Sequence, residues 1–294
     1  MELSYSKLQC FADCPKRYEN KYVKKLRKIA YEEEDVAKTF GKCIHKALEM
    51  RDKTGLQAGI AWFKENYKEL VGELLKTVDN GVRLLTEYDR WEKRNFCGIE
   101  ILSTEVKDTF NVKDIIFTVV LDRVVKLNGN IYVLDYKTTT TRSVYFFKRF
   151  ELNTQVDAYC AYVKGKYGQC SGFIPIQMYM QWVVKPKLFA LDMKDEASEY
   201  SINEIKYSKY YKADMIYASG FHNEFDYEIV NRNVAQLDDF KVEVQKWCSK
   251  IEAEQSFPKN KGNCTQYGGC EYKDLCKSLD DETIVRNLYE TMSA

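Results

Sequence analysis

Apolar positions along this chain follow two rhythms. Ser4 and Ser6 are placed to cap a first helix before Leu8 and Phe11, and Cys14-Pro15 opens a second helical stretch through KRYENKYVKKLRK. After the acidic run Glu32 to Asp35, residues Val36, Phe40, Ile44, Ala47 and Leu48 keep a 3.6-type spacing and predict an amphipathic helix carrying Gly41 and His45. Leu56 to Arg94 continues helical and charged, with Ile60, Phe63, Tyr67, Leu70 and Leu74 on one face, and is expected to be an insertion without chemistry. The rhythm then shortens. Ile99 to Lys107, Thr109 to Val112, Ile115 to Val125 and Ile131 to Tyr136 predict a four-strand meander joined by short polar turns. Glu151 to Lys166 returns to helix, with Leu152, Val156, Tyr159 and Val163 in its stripe. Ile174 to Val184 reads as a strand ending at Pro186, and the Tyr- and Lys-rich segment Tyr200 to Tyr217 fits strand or helix equally. Leu237, Phe240, Val244, Trp247 and Ile251 predict a last helix packed on the core, with Cys248 on its face.

Length and charge narrow this picture. At 294 residues the chain is expected to form one elaborated domain over 1–294, with the helical insertion at 56–94. Its 45 Lys+Arg balance 44 Asp+Glu, so any affinity for nucleic acid must come from local patches and not from a global field. No apolar run approaches the ~20 residues of a membrane span, and MELSYSKLQC lacks a signal-peptide h-region, so a cytoplasmic location is expected. Ten cysteines in a reducing compartment then suggest metal ligands more than disulfides.

The chemistry concentrates in NIYVLDYKTTTT, Asn130 to Thr141. The run Ile131 to Leu134 reads as a buried strand that delivers Asp135 and Lys137 into a Thr-rich turn, and residues i and i+2 of a strand share a face. Asp122 ends the preceding apolar run, so a hairpin carries two acids and a lysine. The acids suit a divalent cation and the lysine suits developing negative charge. An acid-x-Lys tripeptide occurs seven times here, so context selects Asp135. Glu105, on the first strand, would either join a metal site or pair with a neighbouring lysine; the ion pair is favoured. His45 lies beside a buried stripe, where histidines are usually structural, and gains interest as a metal ligand if acids converge on it. Gln155 and Tyr159, at i and i+4, are neighbours able to hydrogen-bond phosphate, base or carboxylate. Residues 16 to 28 hold seven basic residues against Glu19, and Lys16, Arg17 and Tyr22 are candidates for DNA contact; the plainer reading is a solvated helix face.

The tail FPKNKGNCTQYGGCEYKDLC is a second signal. Cys264, Cys270 and Cys276 are separated by five residues each time, with Gly268 and Gly269 permitting tight turns. Three thiolates leave a zinc ion or an iron-sulfur cluster one ligand short. Cys14, next to Pro15, is the candidate fourth, and spacing does not exclude Cys10. Such a site would close the tail 258–280 onto the N-terminal segment.

The order Cys14-Pro15, Gly41 to His45, Asp122, Asp135-Tyr136-Lys137, Gln155 to Tyr159 and Cys264, Cys270, Cys276 resembles the RecB-like branch of the PD-(D/E)XK nuclease superfamily. Within it, the chain is most similar to the iron-sulfur members that include CRISPR-associated adaptation nucleases, the AddB nuclease domain and phage exonucleases. The resemblance covers residues 1 to about 280 and implies an α/β fold, a restriction-endonuclease-like core whose mixed central sheet is flanked by helices. It implies that His45, Asp122, Asp135 and the main-chain carbonyl of Tyr136 bind Mg2+ or Mn2+, and that Lys137 is the catalytic lysine. Gln155 and Tyr159 would form the Q-x-x-x-Y helix, and Cys14, Cys264, Cys270 and Cys276 would hold a 4Fe-4S cluster. The chain departs from the pattern at Val119-Val120, where a small residue is expected, and in its C-x5-C-x5-C tail, which leaves zinc as an alternative. The implied activity is exonucleolytic hydrolysis of single-stranded or end-bearing DNA in recombination or repair. The other readings are a catalytically silent DNA-binding recombination partner and a zinc-stabilised interaction module.

Overall fold

Ser4 opens the first helix, as its place before Leu8 and Phe11 predicts. The computed structural model describes residues 1–29, 36–69, 73–187, 199–202, 205–208, 216–265 and 269–292. The run Glu32 to Asp35, Leu70, Gly268 and much of the segment 200–217 lie outside them. Strand β1 (Glu2–Ser4) leads into helix α1 (Tyr5–Asp13), where the Ser4 hydroxyl accepts from the Lys7 amide at 3.3 Å. Helix α2 (Pro15–Tyr18) is only one turn. A wider π turn at 19–23 follows, and the chain then extends as β2 (Leu26–Lys28). The single basic helix expected through residue 28 is therefore broken: pairing of β2 with a strand from the tail overrides local helix propensity.

Helices α3 (Val36–Thr54), α4 (Leu56–Asn66) and α5 (Val78–Asn95) follow. The Leu56–Arg94 stretch thus divides in two, with Tyr67 buried at the break and Leu74 exposed. A Cβ at Gly81 would lie 2.2 Å from the Phe63 ring, so α4 and α5 approach too closely there for any side chain.

Strand β3 (Glu100–Val112) fuses the first two expected strands, and β4 (Ile115–Leu127) and β5 (Asn130–Thr139) complete the meander. Two-residue turns set their register. Val112 pairs with Ile115 across Lys113-Asp114, and Leu127 pairs with Asn130 across Asn128-Gly129, both of whose φ angles are positive (49° and 82°). Helix α6 (Thr154–Tyr167) begins where Asn153 Oδ1 accepts from the amides of Gln155 and Val156; Leu152 falls before the cap and is 95% exposed, so it leaves the expected stripe. Strand β6 (Gly172–Lys187) runs through Pro186 instead of stopping before it. Beyond Tyr179 it is paired only with a single neighbour, where a missing amide hydrogen is tolerated. A small hairpin of β7 (Glu199–Ile202) and β8 (Ile205–Ser208), then β9 (Ile216–Tyr227) and β10 (Val230–Asn231), precede helix α7 (Val234–Ala253), opened by an Asn233/Gln236 capping box. Short helices α8 (Lys273–Lys277) and α9 (Glu282–Leu288) lead to β11 (Tyr289–Thr291), the antiparallel partner of β2.

The central sheet is mixed. β3 lines one edge of β4; β1 (parallel) and β5 (antiparallel) share the other, at Ile116–Thr118 and Arg123–Leu127 respectively. β6 runs parallel to β5, and β9 and β10 close the far side of β6. One face packs against α1, α6 and α7 through Phe117, Val133, Val163 and Phe240; the other packs against α3, α4 and α5 through Phe40, Leu84, Leu134 and Ile176. This is the helix-flanked mixed sheet that the sequence leads one to expect.

Under the second face lies a buried ionic quartet. Arg123 Nε meets Asp52 Oδ2 at 2.8 Å and its Nη1 meets Glu92 Oε1 at 2.5 Å, while Arg51 Nη2 reaches Asp52 and Glu92 at 2.8 Å each. Tyr88 donates to Glu92 (2.7 Å), and Arg123 Nη1 also donates to the Tyr136 hydroxyl (2.7 Å). The insertion expected to have no chemistry supplies Tyr88 and Glu92 to this network. Arg123→Ala leaves the two buried carboxylates with Arg51 as their one remaining cation and is expected to lower unfolding free energy by about 3–5 kcal/mol, measured by urea denaturation. A loss below about 1 kcal/mol would mean that the quartet does not hold the helices to the sheet.

Candidate active site

The pairing between β4 and β5 ends at Arg123 and Leu134, so Asp122 and Asp135 are the next facing positions, where the strands part. Asp122 Oδ2 there accepts from the Tyr136 amide at 2.9 Å, taking the place of a ladder carbonyl. Across the other edge of β4, Thr104 pairs with Arg123 and Val106 with Leu121, which sets Glu105 opposite Asp122. Glu105 has φ 49°, a left-handed conformation that costs about 1–3 kcal/mol for a residue with a Cβ. Three carboxylates thus come from consecutive strands at one level of the sheet.

Helix α3 brings His45 to this level. Its Nδ1 lies 3.1 Å from Asp122 Oδ2, and ligand atoms of His45, Glu105 and Asp122 all lie within 4.8 Å of one another. The His45 ring stands edge-on to Tyr136 (5.9 Å, 90°), whose buried side chain is gripped from below by Arg123. Lys137 Nζ contacts Asp135 Oδ2 at 2.5 Å.

Electrostatics mark the group as short of positive charge. Burial pushes the Asp135 carboxyl up, and Lys137 offsets this only in part; Glu105 is pushed up by burial and by the charge on Asp122. Asp122 itself is held low despite burial, by His45, Lys137 and the Tyr136 amide. Burial pulls His45 and Lys137 down, but neighbouring carboxylates outweigh it and raise both. Three acids face one lysine and a histidine that takes up a proton readily. Hard oxygen donors with one imidazole nitrogen and excess negative charge fit a divalent cation such as Mg2+ or Mn2+.

His45, Glu105, Asp122 and Lys137 line a cleft of about 500 Å3 between α3 and the parted strands, together with Gly41, Val120, Tyr136 and Thr138; Asp135 is buried and does not line it, and meets the cleft through Lys137. Lys38, Lys42 and Lys46, at i, i+4 and i+8 on α3, border it as well. That spacing is visible in the sequence but was not among the expected contacts, and Glu105, for which a lysine partner was favoured, sits instead with His45 and Asp122. Gln155 Nε2 donates to the Tyr159 hydroxyl at 2.7 Å; burial and then the charge of Asp135 raise Tyr159, which places that helix beside the site.

The expected basic contacts lie elsewhere. Lys16 is held by Glu19 (2.7 Å) and Asp280 (2.6 Å), Arg17 lies 3.5 Å from Glu271, and Tyr22 has Lys7 and Lys21 about 5.9 and 5.8 Å from its ring centre. None of the three borders the cleft around Asp122. Arg17 instead borders a cavity of about 440 Å3 lined by Cys14, Cys264, Cys270 and Cys276. Of the two alternatives for a fourth ligand, Cys10 does not line this cavity. It is packed in the core, and burial pushes its thiol up to about 11. Asn260 and Asn263 tie the tail to the Asp13 carbonyl at 2.9 and 2.6 Å, and the Asn260 amide points to Cys14 Sγ at 3.3 Å.

Comparison with known proteins identifies the family of the chain. The family described as the PD-(D/E)XK nuclease superfamily matches residues 2–277. No curated protein matches the sequence. Among solved structures, one titled "Crystal structure of SSO0001" aligns with 94% of this chain and 86% of its own length, at 12% identity and a TM-score of 0.34.

Titration with Mn2+ followed by calorimetry is expected to show binding that Asp122→Asn abolishes and Glu105→Gln weakens by at least about tenfold. Unchanged binding in Asp122→Asn would remove this group as the metal centre.

Proposed function

The chain belongs to the PD-(D/E)XK nuclease superfamily, and from that premise we propose that it is a metal-dependent DNA exonuclease of the RecB-like, iron-sulfur kind. Its substrate is single-stranded or end-bearing DNA, processed in recombination or repair. The observation that carries this reading is the convergence of His45, Glu105 and Asp122 beside the Asp135–Lys137 pair, in a cleft bordered by lysines.

His45, Glu105, Asp122, Asp135 and the main-chain carbonyl of Tyr136 would hold Mg2+ or Mn2+. Bound there, the cation supplies polarisation of the phosphodiester and a lowered pKa for attacking water. The protein's own groups do the rest. Asp135 fixes Lys137 at 2.5 Å, and neighbouring carboxylates keep its ammonium protonated, so it meets the negative charge that builds on the phosphate. The lysines along α3 attract the adjoining phosphates, and Gln155 and Tyr159 act as a hydrogen-bonded pair on the substrate side of Asp135. Arg17 and Tyr22 contact DNA further away, at the cysteine end.

Cleavage of end-labelled single-stranded DNA with Mn2+ is expected in the wild type and lost by roughly 100-fold or more in Asp135→Ala and Lys137→Ala. Full activity in Lys137→Ala would overturn the mechanism.

The cysteine cavity fits a 4Fe-4S cluster: four free thiols surround it, with Lys259, Lys261 and Arg17 at its wall to balance thiolate charge. Anaerobically purified protein is expected to be brown with broad visible absorption, and Cys270→Ser to lose that colour. A colourless wild type carrying one zinc per chain would replace the cluster with a structural zinc site.

A further inference from the structure

Beyond Lys137 the same face of the sheet continues into another cavity of about 500 Å3, which the proposed catalytic parts do not use. Its floor comes from two strands. Gln177 on β6 is the register partner of Lys137 on one side and of Asp226 on β9 on the other, so the three side chains form one row on one face. In the next row Tyr179 pairs with Glu224. Phe147 and Arg142 close the cavity from the loop after β5.

Gln177 is the unusual member. It is only 7% exposed, and its side-chain Nε2 has no hydrogen-bond partner. A buried amide donor left unpaired is unfavourable unless a ligand completes it. Beside it, Asp226 is exposed, lines the cavity and accepts from the Tyr227 amide with Oδ1, so its second carboxylate oxygen remains an acceptor. Glu224 is matched by Arg142 at 2.9 Å, and the Arg142 guanidinium lies 5.8 Å from the Tyr179 ring centre.

This chemistry disfavours phosphate, because two carboxylates line the floor. It suits a flat, neutral group that presents an acceptor beside a donor. Every nucleobase carries that pair on its Watson–Crick edge, and in a duplex the edge is already occupied. Aromatic walls from Tyr179 and Phe147 supply the stacking surface. We propose that this cavity is a nucleobase subsite for the unpaired nucleotide next to the phosphate at Lys137, with Gln177 as donor and Asp226 as acceptor. It makes the protein selective for single strands. The proposal rests on the nuclease reading for its substrate, but binding tests it separately from cleavage.

The probe is a set of labelled single-stranded oligonucleotides in which one abasic residue is moved along the chain. Cleavage of each by the wild type with Mn2+ is measured, and binding of each to Asp135→Asn is followed by fluorescence anisotropy. One abasic position is expected to weaken both by about tenfold. In Gln177→Leu and in Tyr179→Ala the intact strand is expected to fall to the abasic level, so that the position-specific penalty disappears. The same penalty at every position, no penalty, or its persistence in both variants would overturn the subsite. DNA binding with the expected penalty but no cleavage by the wild type would uphold the subsite and overturn the nuclease reading. Cleavage without any base dependence would do the reverse.

Discussion

The interaction on which the rest depends is the buried contact of Arg123 with Asp52, Glu92 and Tyr136. Two of these residues adjoin the cleft residues in sequence, and a third shares a helix with His45. Arg123 follows Asp122 directly, Tyr136 separates Asp135 from Lys137, and Asp52 lies two helical turns beyond His45 on α3. Four charged groups in the interior are expensive to desolvate, and an apolar substitute of similar volume would often be no less stable. What the quartet provides is position. Arg123 and Tyr136 face downward into it because neighbouring strand residues alternate, and that alternation turns Asp135 and Lys137 the other way.

Much of the frame was legible in the sequence because it follows from short-range rules. The α3 stripe, the strands leading to Asp122 and Asp135, the α7 face and the Ser4 cap all come from spacing and capping. Most of what escaped was set by distant partners. Residues 19 to 28 have strong helical composition, yet β11 recruits Leu26 to Lys28 into a two-stranded sheet. Leu152 kept helical spacing with Val156, but Asn153 capped the helix one residue later and left it in solvent. Glu105 was seen and placed with a lysine, because nothing local shows that its register position faces Asp122. The 56–94 stretch likewise read as an insertion without chemistry, because only tertiary contact buries Glu92 against Arg51 and Arg123.

The two ends of the described chain are handled differently from the centre. Around the cysteine cavity the backbone is held by side-chain amides, Asn260 and Asn263 on Asp13, and by ion pairs such as Lys16 with Asp280. Its apolar packing is a small separate cluster of Leu26, Tyr272, Leu275 and Tyr289. So little buried apolar area makes a bound ligand at the four thiols a substantial share of local order, whereas the parted strands at Asp122 are fixed by the main core whether or not a cation is present.

The two-residue turns at Lys113-Asp114 and Asn128-Gly129 carry no reactive group, yet they determine which residues meet. Glu105, Asp122 and Asp135 face one another only because both hairpins close over two residues. One residue gained or lost in either turn would slip the ladder and turn a whole strand over, carrying its carboxylate from the cleft into the core or the reverse. Substitutions on these exposed turns are cheap where the new residue accepts the local φ, as Asn and Gly do at positions 128 and 129, whereas changes in their length are not. Among descendants of this chain, such loops should therefore vary in spelling while staying fixed in count, an invariance that residue-by-residue comparison of identities would overlook.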